Sequence, residues 1–202
     1  MLLKIANRTH AHRAHRQSGM TMIELAVVMM ILAVLAFGAF RLFKGGTKSA
    51  RAQSLMMSFD QVGGALERFQ AETGCYPNRL DPLWDRTLAI AANNFCGLDL
   101  RPNWKEPYMK EQPMDAAGNM MLDAVQSGAT LQITRAAGGL GTMWVLTATN
   151  IPNNIAQIAG NSCNSTDPTT VIPVAWTNNL KCVGVANGAE LTNVVFRFSS
   201  NI

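Results

Sequence analysis

Histidine is nearly missing from this chain: the three that occur, His10, His12 and His15, all lie within its first fifteen residues. Beyond them there is no imidazole to serve as general base or metal ligand, so no Ser/His/Asp or Cys/His catalytic set and no histidine-bearing zinc site can be assembled there. Cysteine is scarce too, and Cys75, Cys96, Cys163 and Cys182 lack the C-x-x-C spacing of metal and redox sites. No proline precedes Pro77. Charged residues make up only 15% of the chain, and the net charge of +4 is confined to one end. Lys4, Arg8, Arg13 and Arg16 precede Gly19, and setting these four apart leaves 13 basic against 13 acidic residues. No basic stripe with interleaved aromatics remains, so no specific nucleic-acid site is expected.

What the chain does have is a long apolar run over residues 20–40, broken by a single acid, Glu24. A carboxylate at the centre of a bilayer-spanning helix costs roughly 2.5 to 3.5 kcal/mol on insertion scales, so it needs a compensating cation. A cut between Gly19 and Met20 would create one. The new amine lies one helical turn from Glu24, and the two charges can neutralise each other within a subunit or between neighbours. The cations before Gly19 would hold the N-terminus in the cytoplasm by the positive-inside rule. Two simpler readings compete: a secretory signal peptide cut near residues 36–39, and a permanent signal anchor. An anchor gains nothing from an acid at position 24.

Gly19 before the scissile bond, Met20 after it, Glu24 at the fifth mature position and the apolar helix behind them resemble the class III signal of type IV pilins and related pseudopilins. The resemblance implies that a prepilin peptidase cleaves after Gly19 and methylates the amine of Met20. It also implies that Glu24 sets the register of assembly by meeting the Met20 amine of a neighbour. The leader of nineteen residues, and methionine at position 20, are similar to the type IVb branch. The implied product is a structural subunit, not an enzyme and without a cofactor, that waits in the inner membrane with its N-terminus cytoplasmic and its head periplasmic. Implied partners are further copies of the chain in a helical homopolymer, the prepilin peptidase, an assembly ATPase, a platform protein and a secretin. A type II secretion pseudopilin shares the same leader and helix. A membrane-anchored periplasmic binding protein, using the helix only as a tether, is a third reading.

The rest of the chain sets out the domains: a cleaved leader over 1–19, a long helix over 20–73 with 20–40 as transmembrane segment and filament core, and a head over 74–202. Arg41, Lys44, Lys48 and Arg51 suit a helix leaving hydrocarbon for headgroups. Leu55, Phe59, Val62, Leu66 and Phe69 then recur at steps of four and three, the stripe of an amphipathic helix, and Gly74 is a natural stop. Proline-rich residues 75–118 read as a loop with a short helix near 83–92. Within it, GCYPNRL and NWKEPYMKEQPMD resemble the segment after the long helix in pilin heads.

Residues 120–125, 130–134, 143–149, 171–176 and 194–198 read as strands between Gly and Asn turns. The predicted fold is therefore α+β, a long N-terminal helix packed against a C-terminal antiparallel sheet, the type IV pilin architecture. In an exported head the four cysteines suit two disulfides. Three pairings are open. Cys75–Cys96 with Cys163–Cys182 is favoured, each closing a loop of about twenty residues worth on the order of 3 kcal/mol. Asp115, Asn119 and Asp123 do not match an EF-hand loop and read as solvated turn residues, so no metal is expected. Gly19→Val, which places a branched side chain at the scissile bond, is expected to abolish trimming; trimmed protein at wild-type levels in an intact-mass measurement would refute the class III assignment.

Overall fold

The structure, a computed structural model, describes residues 21–138, 141–167, 170–176 and 180–200, apart from the side chains of 37–45, 137, 138, 141, 142, 199 and 200. Its first element is the helix α1, Met22–Thr73, of 52 residues. It continues through Gly38, Gly45 and Gly46, each costing about 1 kcal/mol relative to alanine. It stops at Gly74, whose φ of +83° disfavours any residue with a side chain and whose N–H donates to the Gln70 carbonyl at 2.8 Å.

The chain divides into two units, Met1–Phe43 and Lys44–Ile202. In the first, every described side chain of 22–36 is exposed. In the second, α1 buries one stripe: Ala52, Leu55, Phe59, Val62, Leu66 and Phe69 are each 2% exposed or less. Their spacing places them on a single helical face, which meets a five-stranded antiparallel sheet. Its strands are β1 (Met120–Met121), β2 (Thr130–Gly138), β3 (Gly141–Pro152), β4 (Cys182–Ala186) and β5 (Leu191–Ser200), in the order β1-β2-β3-β5-β4.

Register decides which side chains reach the helix. Ile133 lies opposite Leu146 and Leu146 opposite Phe196, while Leu131 lies opposite Ala148 and Ala148 opposite Val194. Cross-strand partners share a face, and Phe196 stacks on Phe59 of α1 at 5.2 Å between ring centroids, so this face is the one that covers the stripe. Thr130 and Thr149 pair through their hydroxyls at 2.8 Å on the opposite face. The α+β class and the antiparallel sheet agree with the reading of the sequence.

Several elements differ from that reading. A helix, α2 (Asn153–Asn164), follows β3 directly. Its asparagines and Gly160 are poor helix formers, but Ile155, Ala156 and Ala159 form a short buried stripe, and it packs on β3, β4 and β5. Residues 171–176 are not a strand. Pro173 cannot donate to a ladder, Val171 and Val174 are exposed, and Ile172 alone turns inward. It wedges between Gly160 and Gly184, where any added Cβ would collide with it. The fourth strand is Cys182–Ala186 instead, and the strand expected over 120–125 shortens to Met120–Met121.

The short helix near 83–92 resolves into three 3-10 turns, Asp81–Leu83, Arg86–Leu88 and Ala91–Asn93. Asn93 donates to the Leu88 carbonyl and Asn94 to those of Ile90 and Leu98, at 2.7–2.9 Å. Those side chains take carbonyls that a longer helix would use.

Disulfides join Cys75 to Cys96, fastening the end of α1 to the 3-10 segment, and Cys163 to Cys182, fastening α2 to β4. Both sheet edges are occupied in part: β1 covers only Thr130 and Leu131 of β2, and β4 is met at Cys182 and Gly184. At β4, the Asn164 amide donates to the Cys182 carbonyl at 2.8 Å and accepts from the Cys182 N–H at 3.0 Å, and the Gly184 N–H donates to the Pro173 carbonyl at 2.8 Å. At β1, the Met121 N–H donates to the Pro113 carbonyl at 2.8 Å.

Tyr108 locks the loop onto α1. Its ring meets Phe69 edge-on at 5.2 Å, its hydroxyl donates to Glu72 Oε2 at 2.7 Å, and its carbonyl accepts from Arg68 Nη2 at 2.7 Å. Burial, helped by the bond to Glu72, pushes the Tyr108 pKa up to about 12 from an ordinary 10.0. A pKa raised by folding means the protonated phenol is the stabilised form: its contribution is complete below pH 10 and is lost as pH rises towards 12. Denaturation of the full chain in detergent at a series of pH values is therefore expected to show a loss of stability over this range that Tyr108→Phe removes. An identical alkaline loss in Tyr108→Phe would refute the assignment.

Candidate functional site

The first turn of α1 joins two residues that the sequence pattern spaces three apart. Thr21 is the N-cap, its carbonyl accepting the first helical bond, from the Leu25 N–H at 3.2 Å. The Thr21 N–H donates to Glu24 Oε2 at 2.9 Å, the Thr21 hydroxyl donates to the same oxygen at 3.1 Å, and the Glu24 N–H donates back to the Thr21 hydroxyl at 3.3 Å. This is a reciprocal capping box: two N–H groups left unpaired by the start of the helix are satisfied, and a negative charge sits at the positive end of the helix dipole. Among the described residues, Glu24 Oε1 accepts no hydrogen bond.

Behind this turn, described apolar side chains cover every side of the helix. Met22 is 93% exposed, and Ile23, Met30 and Val34 are each at least 69% exposed. A continuous apolar surface of this kind marks a contact with lipid or with other protein. Among the described residues, no helix is long and apolar enough to cross a membrane. The described apolar side chains of this stretch end at residue 36, and those of 37–45 lie outside the described residues. Gly19 and Met20, the expected cleavage and methylation positions, also lie outside them.

Among the remaining candidates, all four cysteines are in disulfides. Asp115 serves its own turn. Burial raises its pKa, but bonds donated by the Asn119 N–H and side-chain amide, both at 2.8 Å, and by the Ala117 N–H at 2.9 Å outweigh that and hold it below the ordinary carboxylate value. Asp123 is exposed in a neighbouring turn, and among the described residues no cluster of three or more acidic, cysteine or histidine side chains is placed to hold a metal.

Thr21 is the residue that sequence reasoning misses, although its signal is present. Thr21-Met22-Ile23-Glu24 is the T-x-x-E signature of a capping box directly before an apolar run; attention to the cost of Glu24 in lipid hides its local role.

Residues 14–40 match the family model of the prokaryotic N-terminal methylation motif, the class III signal peptide of type IV pilins and pseudopilins. The motif is a structural signal and not an enzyme family, and it implies a prepilin-like substrate processed from a membrane-anchored precursor. The α+β fold of helix and antiparallel sheet is consistent with the pilin fold. No curated protein and no solved structure matches the chain.

Proposed function

We propose that this chain is a structural subunit of a type IV pilus of the IVb-like kind. The observation that carries the reading is a carboxylate, Glu24, built into the first turn of an exposed apolar helix inside a prepilin methylation motif. In this reading the precursor sits in the inner membrane with residues 1–19 in the cytoplasm and the head in the periplasm, and residues 20–40 span the bilayer. A prepilin peptidase cuts after Gly19 and methylates the amine of Met20. An assembly ATPase and a platform protein then draw the helix out of lipid into a bundle of identical helices, and a secretin passes the filament to the surface. Lipid tails and the bundle are similarly apolar, so hydrophobicity alone favours neither. The pairing of Glu24 with a neighbour's Met20 amine supplies register, as a buried ion pair does when it selects one arrangement over others.

The decisive experiment is the intact mass of the protein in material sheared from its native cells. The expected species is polymeric, lacks residues 1–19, carries one added methyl group and is four hydrogens lighter for its two disulfides. The same trimmed and methylated mass in membranes, absent from sheared material, would overturn the surface-pilus reading in favour of a pseudopilin. An untrimmed chain would return it to a simple anchor. Glu24→Ala is expected to insert and be trimmed normally yet give few filaments; wild-type filament yield would remove Glu24 from assembly.

A further inference from the structure

The turn between β4 and β5 carries the chain's one Asn-Gly pair, Asn187-Gly188. Glycine serves the backbone there, at a φ of +88°. It also leaves the neighbouring side chain unscreened. A Cβ on Gly188 would meet nothing within 4 Å, both residues are exposed, and the Gly188 N–H donates to no acceptor among the described residues. Other asparagines lack this combination: Asn94 and Asn161 are buried, Asn119 is tied to Asp115 and Asn164 to Cys182, and each precedes a residue with a side chain.

The Asn187 amide also has a part in the fold. Its Nδ2 donates to Asn150 Oδ1 at 2.9 Å, and Asn150 Nδ2 donates onward to the Gly128 carbonyl at 3.1 Å. Because the last acceptor is a carbonyl, this chain of amides runs in one direction only. Asn150 sits at a φ of +58° where the register of β3 against β5 shifts, between Ala148 and Ile151. The chain of amides therefore ties an irregular point of the sheet to two neighbouring turns.

We propose that Asn187 is a site of spontaneous covalent modification, with water as the only co-reactant. The Gly188 nitrogen bonds to Asn187 Cγ, the Cγ–Nδ2 bond breaks, and ammonia leaves with the proton that the Gly188 nitrogen gives up, closing a succinimide. Water then opens the ring. Cleavage at Cγ leaves aspartate, and cleavage at the backbone carbonyl leaves isoaspartate, whose main chain runs through Cγ. Either product puts a carboxylate in the turn that already holds Glu190 and removes the donor that faced Asn150 Oδ1. Asn150 cannot answer by turning its amide over, since Oδ1 would then meet the Gly128 carbonyl. The loss of ammonia is irreversible, so the modified fraction records how long a molecule has stood in water. None of this requires assembly into a filament.

For the test, the full-length protein in detergent, with both disulfides intact, is incubated at neutral pH and its peptides are mapped by mass spectrometry over time. The expected result is a gain of about 1 Da in the peptide containing Asn187, part of it accepting a methyl group from an isoaspartyl methyltransferase. Gly188→Asn keeps a residue that tolerates positive φ but sets a side chain beside the nitrogen, and it is expected to abolish the gain at Asn187. Asn187→Asp installs one product directly and is expected to raise hydrogen exchange at Asn150 and Ile151, with the stripe from Leu55 to Phe69 as protected as in wild type. An Asn187 still unmodified when a synthetic peptide of residues 184–191 has been converted, an equal gain in Gly188→Asn, or unchanged exchange in Asn187→Asp would each overturn the proposal.

Discussion

The burial of the stripe from Ala52 to Phe69 on one face of α1 is the constraint on which the globular unit depends. Side chains at steps of three and four can be removed from water only by a surface of matching curvature and composition, and the sheet supplies it through Leu146, Ala148, Val194 and Phe196. At roughly 25 cal/mol per Å² of apolar surface, removing this stripe from water is a substantial favourable contribution to the head. One close approach falls where the helix has no side chain: a Cβ on Gly63 would lie 3.3 Å from the Phe198 Cβ. Tyr108 and the Cys75–Cys96 bridge then secure the loop that leaves the end of α1, so that both its aromatic side chains and its backbone are held to the same helix.

A different chemistry governs the beginning of α1. Over 22–36 the described side chains are exposed on all sides and nearly all are apolar, so no single face selects a partner. The polar atoms at this end belong, among the described residues, to Thr21 and Glu24. A helix end in apolar surroundings has N–H groups that must find acceptors, and the capping box meets that need from within the chain. A glutamate, with acceptor atoms on a reachable stem, suits this capping position.

What the sequence makes legible follows from the range of each signal. The stripe Leu55, Phe59, Val62, Leu66 and Phe69 is periodic over four turns and declares both the helix and its buried face. Strands at 130–134, 143–149 and 194–198 lie in the observed sheet because their apolar and β-branched content is dense and bounded by turns. By contrast, α2 is hidden by its asparagines, since its helix depends on burial of Ile155, Ala156 and Ala159 against a sheet that local sequence does not announce. Val171 to Trp176 has the composition of a strand, but Pro173 and the fit of Ile172 against two glycines decide otherwise. The 3-10 turns depend on Asn93 and Asn94 capturing carbonyls, a side-chain choice that periodicity does not record. At the candidate site, the acid in the apolar run is plain from composition, whereas its bond to Thr21 needs the local T-x-x-E spacing to be weighed as well.

The positions taken along the margins of the sheet have a consequence for crowding. A strand edge with open N–H and C=O groups is a template on which another chain can grow. Asn164 spans the outward backbone groups of Cys182 with one side-chain amide, Pro173 meets the N–H of Gly184, and Pro113 meets that of Met121. Heads brought shoulder to shoulder therefore find these backbone positions already taken, and the route to cross-β accretion is closed there. At these positions contact between copies is left to side chains, which can be specific, and is withheld from the backbone, which pairs with any sequence.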